Sequence, residues 1–316
     1  MSIKTAEFVS PKHPDKMCDF VADSILDAYL KHDKKARVAI EVMGGHGSIS
    51  VSGEIKSNRH LDIKKHVMKI FGKKYHVHIH VVQQSAFIAK GVDSGGAGDQ
   101  GIMVGYATSE TKELMPREYI LARNLCREIY KKYPIDGKTQ VTLNTKTGKI
   151  ETVVASFQNV KTDKLLKLVR RCIKSKKYLI NPAGEWTIGS FDADSGLSGR
   201  KIVVDNYGPE VSVGGGSFSG KDYTKVDRSG AYMARKIAVD LLKRKKAKTV
   251  KVKLAYAIGE PKPVMSRAII DSKEVPVPSE YDLTPEGIRK LLKLDRPIYT
   301  KTSLWGHFGN NFIWDK

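Results

Sequence analysis

The chain repeats one order of secondary-structure signals three times, and this pseudo-repeat restricts its fold more than any other feature. The first copy opens with helical periodicity over 16–30, with Met17, Val21, Ile25 and Ala28 on one face. Alternating strand patterns follow at 37–42 and 48–54, joined by the turn Gly44-Gly45-His46-Gly47. A helical pattern at 61–71 and a strand at 77–82 complete it. The second copy reads helix 119–132, hairpin strands 140–144 and 149–157, helix 163–174 and an extended segment 178–188. The third reads helix 229–243, strands 250–258 and 263–270, and a short helix 285–294 with Thr284 as N-cap and Pro285 in its first turn. Each hairpin alternates apolar and polar residues, so each sheet has one face for helices to cover. The expectation is an α+β fold of three pseudo-symmetric units, each a mixed or antiparallel sheet covered by helices. It is not a Rossmann or TIM pattern. The units are expected at 11–95, at 110–188 with a strand from 1–10, and at 189–316 with 96–109.

Composition bounds the partners. A length of 316 residues suits two or three cores, and 41% hydrophobic residues is the fraction of a folded chain. The formal charge of +21 speaks of a solvated lysine surface, nucleic acid or a polyanionic small substrate. The run Lys243-Arg244-Lys245-Lys246 follows an apolar helix and reads as its C-terminal turn. Cys18, Cys126 and Cys172 are scattered in apolar contexts without metal-ligand spacing, as expected of reduced thiols in a cytoplasmic protein. No apolar run is long enough for a membrane span.

Glycines, cations and carboxylates concentrate in a few segments. The densest is GGGSFSGKDYTKVDR, from Gly214 to Arg228. Glycine amides and lysines suit phosphate, and aspartates suit Mg²⁺. Gly215, Gly220 and Lys221 nearly spell a P-loop, but Asp222 stands where Ser or Thr would hold the metal, and no βαβ context surrounds the stretch. His13, Asp15 and Lys16 stand before and at the start of the first helix, where a leaving group, a metal and a phosphate can be served. GVDSGGAGDQG, from Gly91 to Gly101, has the composition of a lid with Asp99 as its polar anchor. Asp136 and Lys138 precede a strand. In DADSGLSGRK, Asp194 suits an amine, and Arg200 and Lys201 suit phosphate before an apolar strand at 202–204. Glu41 and Glu54 lie inside strand patterns, either solvent-facing or paired with a cation. His76, His78 and His80 alternate on one strand face, which an exposed pleat explains better than a metal site does.

These segments resemble the S-adenosylmethionine synthetase (methionine adenosyltransferase) family. The similarity is carried in order by HPDK at 13–16, GAGDQGIMVGYATSET at 96–111, GLSGRKIVVD at 196–205, GGGSFSGKDYTKVDRS at 214–229 and GHFG at 306–309. The resemblance implies a three-unit pseudo-symmetric fold and a two-step reaction. Methionine sulfur attacks C5′ of ATP and expels triphosphate, which is then hydrolysed to pyrophosphate and phosphate. It implies two Mg²⁺ ions, stimulation by K⁺, and a homodimer whose active sites are shared between subunits. By matching motifs, His13 stabilises the departing O5′. Asp15 and Asp227 bind Mg²⁺, and Glu41 lies at the K⁺ site. Lys138, Arg200, Lys221 and Lys225 hold the triphosphate, with Lys201 nearby. Glu54 and Asp194 serve the methionine amino group, Trp186 stacks on adenine, and Asp99 and Asp136 complete the nucleotide pocket.

The chain departs from the family pattern in places. Lys90 stands where Gln is usual beside the methionine site, the loop after it is short, and the connections around 131–134 and 159–179 are trimmed. A divergent tripolyphosphatase or other ATP-using enzyme with an altered methionine site is therefore the alternative. Acidic residues among the lysines of each motif argue against nucleic acid as the partner.

Overall fold

A computed structural model describes residues 2–85 and 91–316; Lys90 lies outside the described residues. The strands are β1 (Ile3–Val9), β2 (Arg37–Gly45), β3 (Ser48–Lys56), β4 (His76–Gln83), β5 (Gly101–Thr108), β6 (Gly137–Asn144), β7 (Ile150–Phe157), β8 (Lys177–Ile180), β9 (Gly196–Leu197), β10 (Thr249–Tyr256), β11 (Met265–Ile270) and β12 (Lys273–Pro276). The helices are α1 (Pro14–Leu30), α2 (Ile63–Phe71), α3 (Arg117–Lys132), α4 (Thr162–Cys172), α5 (Ile202–Asp205), α6 (Val226–Lys245), α7 (Pro285–Leu292) and α8 (Tyr299–Leu304).

Among the described residues the strands form three four-stranded sheets, ordered β4-β3-β2-β9, β1-β6-β7-β8 and β12-β11-β10-β5. Each contains the hairpin that the repeat requires, and β12 extends the third sheet through a second, two-residue turn at Asp271 and Ser272. The first strand of each hairpin also pairs antiparallel with a strand from elsewhere in the chain: β9 on β2, β1 on β6 and β5 on β10. The first two sheets are mixed, because β4 and β8 join in parallel. The β2–β3 turn is tighter than its four glycine-rich residues suggest. Only His46 and Gly47 lie between the strands, both at positive φ (50° and 83°), the twist a two-residue hairpin needs.

Alternation decides the layers. Val38, Ile40, Val42, Ile49 and Val51 are buried beneath α1, while Glu41, Ser52 and Glu54 share the opposite face. The other sheets repeat the scheme, with α3 and α6 over their apolar faces. Buried ion pairs join the layers: Lys16 Nζ to Asp205 at 2.6 Å, Arg228 to Asp23 at 2.7 Å and Arg235 to Asp315 at 3.0 Å. Burial pushes Asp23 up to about 6 against the pull of Arg228.

Three expectations are corrected. Residues 202–205 form the helical turn α5, because Asp205 N and Asn206 N donate back to the Lys201 and Ile202 carbonyls. The extended segment 178–188 holds only the short strand β8, which ends before Asn181 takes φ 44°. Cys172 is exposed at the end of α4, while Cys18 and Cys126 are buried; all three are free thiols. Lys243–Lys245 do form the last turn of α6. Among the described residues no helix is long and apolar enough to cross a membrane.

Candidate active site

The predicted site residues fall into two clusters, anchored at different places along β2. The first gathers at the N-terminus of α1. Pro14 presets the opening turn, and His13 caps it: the Asp15 N–H donates to His13 Nδ1 at 3.2 Å. A neutral imidazole that accepts at Nδ1 carries its proton on Nε2. His13 is held neutral, lowered to about 3 by burial and then by Lys201 and Lys138. Asp15 is fully buried. Its Oδ1 accepts from Leu197 N at 2.9 Å and Arg200 Nε at 2.9 Å, and its Oδ2 accepts from Lys201 Nζ. Burial pushes this carboxyl up, but Lys201, the Leu197 N–H and Arg200 outweigh it and hold it below the usual range. The segment that carries these cations is seated by β9, where Leu197 and Gly196 face Met43 and Gly44 of β2. Gly196 is required there, since a Cβ would lie 2.2 Å from the Pro14 carbonyl.

The central unit completes this cluster. The fields of Lys138, on β6, and Asp194 both reach His13 and Asp136. Asp136 accepts from Ser190 N at 2.8 Å, and burial holds its carboxyl above the usual range. Trp186 Nε1 donates to Ser156 Oγ at 3.0 Å, and Ser156 faces Lys138 across β6 and β7. Asp194 is exposed and accepts from its neighbour Ser195 N at 2.7 Å.

The second cluster lies where the glycine-rich stretch meets β2. Lys221 forms an isolated antiparallel bridge with Ala39, and Lys221 Nζ contacts Asp227 Oδ2 at 2.7 Å. Asp227 stands in the first turn of α6 beside Gly216, where an added Cβ would lie 2.1 Å from its Oδ1. Lys225 is buried and pairs with Asp222 at 2.9 Å. Glu41 Oε2 accepts from Ser198 Oγ, whose own oxygen accepts from Val42 N at 2.9 Å. Although part of Glu41 reaches solvent, its carboxyl is crowded by protein. That burial comes first in holding it above the usual range, with Asp19 and Asp227 acting in the same sense against Ser198 and Lys221. Glu54 faces Ala39 across the hairpin and accepts from Gln84 Nε2 at 3.2 Å. The Asp99 loop reaches the cluster through Gly98 N, which donates to the Thr224 carbonyl at 3.0 Å; Asp99 itself accepts from its neighbour Gln100 N at 2.8 Å. The buried hydroxyls of Ser217 and Thr224, in the same stretch, have no hydrogen-bond partner among the described residues.

Among the described residues no three His, Cys, Asp or Glu side chains converge on one point. The carboxylates of Asp15 and Asp227 instead stand singly among cations. That fits Mg²⁺, which takes one or two carboxylates and fills its shell with phosphate oxygens and water.

The comparisons bear on what such a constellation does. The family descriptions for the N-terminal, central and C-terminal domains of S-adenosylmethionine synthetase match residues 1–86, 94–186 and 188–316. The chain belongs to the S-adenosylmethionine synthetase family. An S-adenosylmethionine synthase of Treponema denticola is 40% identical over 369 residues, covering 99% of this chain and 95% of the relative. One of Mycoplasmopsis synoviae is 40% identical over 365 residues, covering 98% and 94%. A solved structure described as an unusual S-adenosylmethionine synthetase from Campylobacter jejuni is 34% identical, with a TM-score of 0.88, covering all of this chain and 97% of that one. An alignment of 369 residues on a chain of 316 means that this synthetase lacks internal segments the Treponema relative has. Likeness across all three domains favours the synthase over the tripolyphosphatase alternative.

Sequence reasoning missed the residues that hold the named ones. Ser198 ties Glu41 to β2, Ser190 holds Asp136, and Asp222 holds Lys225. Ser198 and Asp222 lie inside recognised motifs and Ser190 lies just before one. Each partner lies far off in sequence or is not on a helical face, so periodicity has no means of reporting it. A concavity of about 620 Å³, lined by Tyr29, Lys56, Arg59 and Lys64, contains none of the predicted site residues. Arg200 and Lys201 instead line a separate one of about 370 Å³.

Proposed function

We propose that the two clusters are half-sites, and that the first cluster of one protomer joins the second cluster of its partner to make S-adenosylmethionine from ATP and methionine. The observation that carries this reading is the pairing of opposite charge in each cluster. Arg200 and Lys201 hold Asp15, and Lys221 holds Asp227, so each half brings cations for phosphate and a single carboxylate for a metal. The helix-free face of each sheet is open in the single chain. The first of these carries the exposed side chains of Met43 and Val82 beside Glu41 and Glu54. A C2 dimer closing over those faces brings each half-site against its complement.

In the assembled site the methionine sulfur attacks C5′, the C5′–O5′ bond breaks and the triphosphate leaves whole. His13, neutral with its proton on Nε2, donates to O5′ as charge develops there. Lys138, Arg200, Lys221 and Lys225 face the leaving group, with Lys201 beside them. Mg²⁺ held by Asp15 and Asp227 would neutralise the charge on the phosphates when bound, and Glu41 would contribute to a K⁺ site. Trp186 and Asp136 take the adenosine end with Asp99. Glu54 and Asp194 accept from the methionine ammonium, and the family pattern sets Lys90 beside the methionine site, where Gln is usual. Hydrolysis of the retained triphosphate uses the same cations. Free thiols suit a reducing compartment, and we place the enzyme in the cytoplasm.

The test is direct. Purified protein with ATP, methionine, Mg²⁺ and K⁺ is expected to give S-adenosylmethionine with one phosphate and one pyrophosphate per turnover. Phosphate release from tripolyphosphate without any methionine-dependent product would contradict the reading.

A further inference from the structure

Asp222 has no task in the proposed reaction, yet it is bound as fully as Asp15 and more fully than Asp227. It is fully buried. Its Oδ2 accepts from Val38 N at 2.7 Å and from Lys225 Nζ at 2.9 Å, and its Oδ1 accepts from Thr224 N at 2.8 Å. Its own N–H returns to the Val38 carbonyl at 3.1 Å, and the Lys225 N–H donates to the Asp222 carbonyl at 3.2 Å. One side chain therefore joins β2, the turn at 222–225 and the ammonium of Lys225.

We propose that Asp222 is a positioning residue for polyphosphate, setting the Lys225 ammonium at a fixed point relative to β2 and to Lys221. The proposal rests on the reading that Lys225 holds the triphosphate. A lysine head on four rotatable bonds loses much freedom when a ligand fixes it, and an ammonium already fixed does not lose it again at binding. Lys225 is 6% exposed, so its charge is also out of bulk water and needs a partner before the substrate arrives. Asp222 meets both needs. Lys225 has three donors and spends one on Asp222, leaving two for phosphate oxygens. Lys221 has a slightly exposed counterpart in Asp227, a carboxylate that a metal would claim. Asp222 stays engaged by two main-chain amides and keeps its cation.

The measurement is the affinity for tripolyphosphate with Mg²⁺, by calorimetry on the full chain, for wild type, Asp222→Asn, Asp222→Glu, Lys225→Ala and Asp222→Asn/Lys225→Ala. Removing a charge-assisted contact predicts a loss of roughly 10–100-fold for Lys225→Ala. The inference expects a similar loss for Asp222→Asn and little further loss in the double variant, since both changes act through one ammonium. It also expects KM for ATP to rise while KM for methionine holds. Asp222→Glu retains the charge one methylene away, and about tenfold weaker binding is expected even where Asp222→Asn folds poorly. If the Asp222 variants lower thermal stability but bind tripolyphosphate as wild type does, or if the two losses multiply, Asp222 is only a structural tie and the inference fails. If Lys225→Ala itself binds normally, the assignment of Lys225 fails and takes the inference with it.

Discussion

The two half-sites hold their carboxylates in opposite ways. Asp15 is wholly buried and takes one amide and two cations, whereas the Asp227 side chain is 12% exposed and has Lys221 as its ion-pair partner. The first half grows from a helix N-terminus, capped by His13 and pressed against β9. The second hangs on a glycine-rich stretch tied to β2 through Asp222 and through the Lys221 bridge. One half is thus preformed around its acid, while the other is built around its lysines and leaves its acid more open to exchange.

The most damaging way to break the second half is from beneath. Arg228 chelates Asp23 with both terminal nitrogens and also donates to the Lys221 carbonyl at 3.2 Å, while Gly220 N donates to Asp23. Arg228→Met leaves a buried carboxyl without its cation, and a loss of about 3–5 kcal/mol is expected in chemical denaturation. A loss below 1 kcal/mol would show that the pair does not underpin the stretch. Lys221→Ala should come next. Removing one preorganised cation from the leaving group predicts a fall in kcat of roughly 10²–10³, with the melting temperature near wild type. Near-normal turnover would end its assignment.

A third prediction concerns pH. His307 is buried with Nδ1 2.7 Å from the Tyr232 hydroxyl, and burial, then Arg228 and Lys16, holds it well below its ordinary value. The unfolded chain therefore takes up a proton near pH 6.5 that the folded chain refuses, and stability is lost as pH falls below that point, by up to about 1.4 kcal/mol per pH unit. Asp23 and Asp205, raised to about 6 and about 7, act in the other sense. The readout is thus the difference between wild type and His307→Gln, expected to shift against wild type between pH 7 and 5. A constant difference would refute it. The smallest effect is expected at the joint between the halves. Ser198→Ala removes the hydroxyl that links Glu41 to Val42 N, and a loss of about 1 kcal/mol with weaker stimulation by K⁺ should follow. Unchanged K⁺ response would separate Ser198 from the site.

Much of this was legible in the residues. The 2.0 and 3.6 periodicities report which face of each element is buried, so three hairpins and their helices are readable from Val38, Val141, Val250 and their neighbours. Long motifs likewise report the chemistry of Asp15, Lys221 and Asp227. What they do not report is pairing across the chain. A two-residue strand such as β9 has no period to detect, yet it sets Arg200 and Lys201 against Asp15. Residues 202–204 look like a strand because three apolar residues in a row fit either element, and the backbone bonds to Lys201 and Ile202 decide for a helical turn. Asp222 stands out in sequence as a misplaced P-loop residue. Its true partners, Val38 and Lys225, appear only when β2 is in place.

The central claim is that a working site needs one half from each protomer, and mixing damaged halves tests it most directly. His13→Asn disables the first half and Lys221→Ala the second. Heterodimers of the two variants, purified through separate tags, hold one doubly damaged site and one intact site. S-adenosylmethionine formation at about half the wild-type rate is predicted, far above either parent. Activity no higher than that of the parents would mean that both halves act within one chain, and would contradict the account.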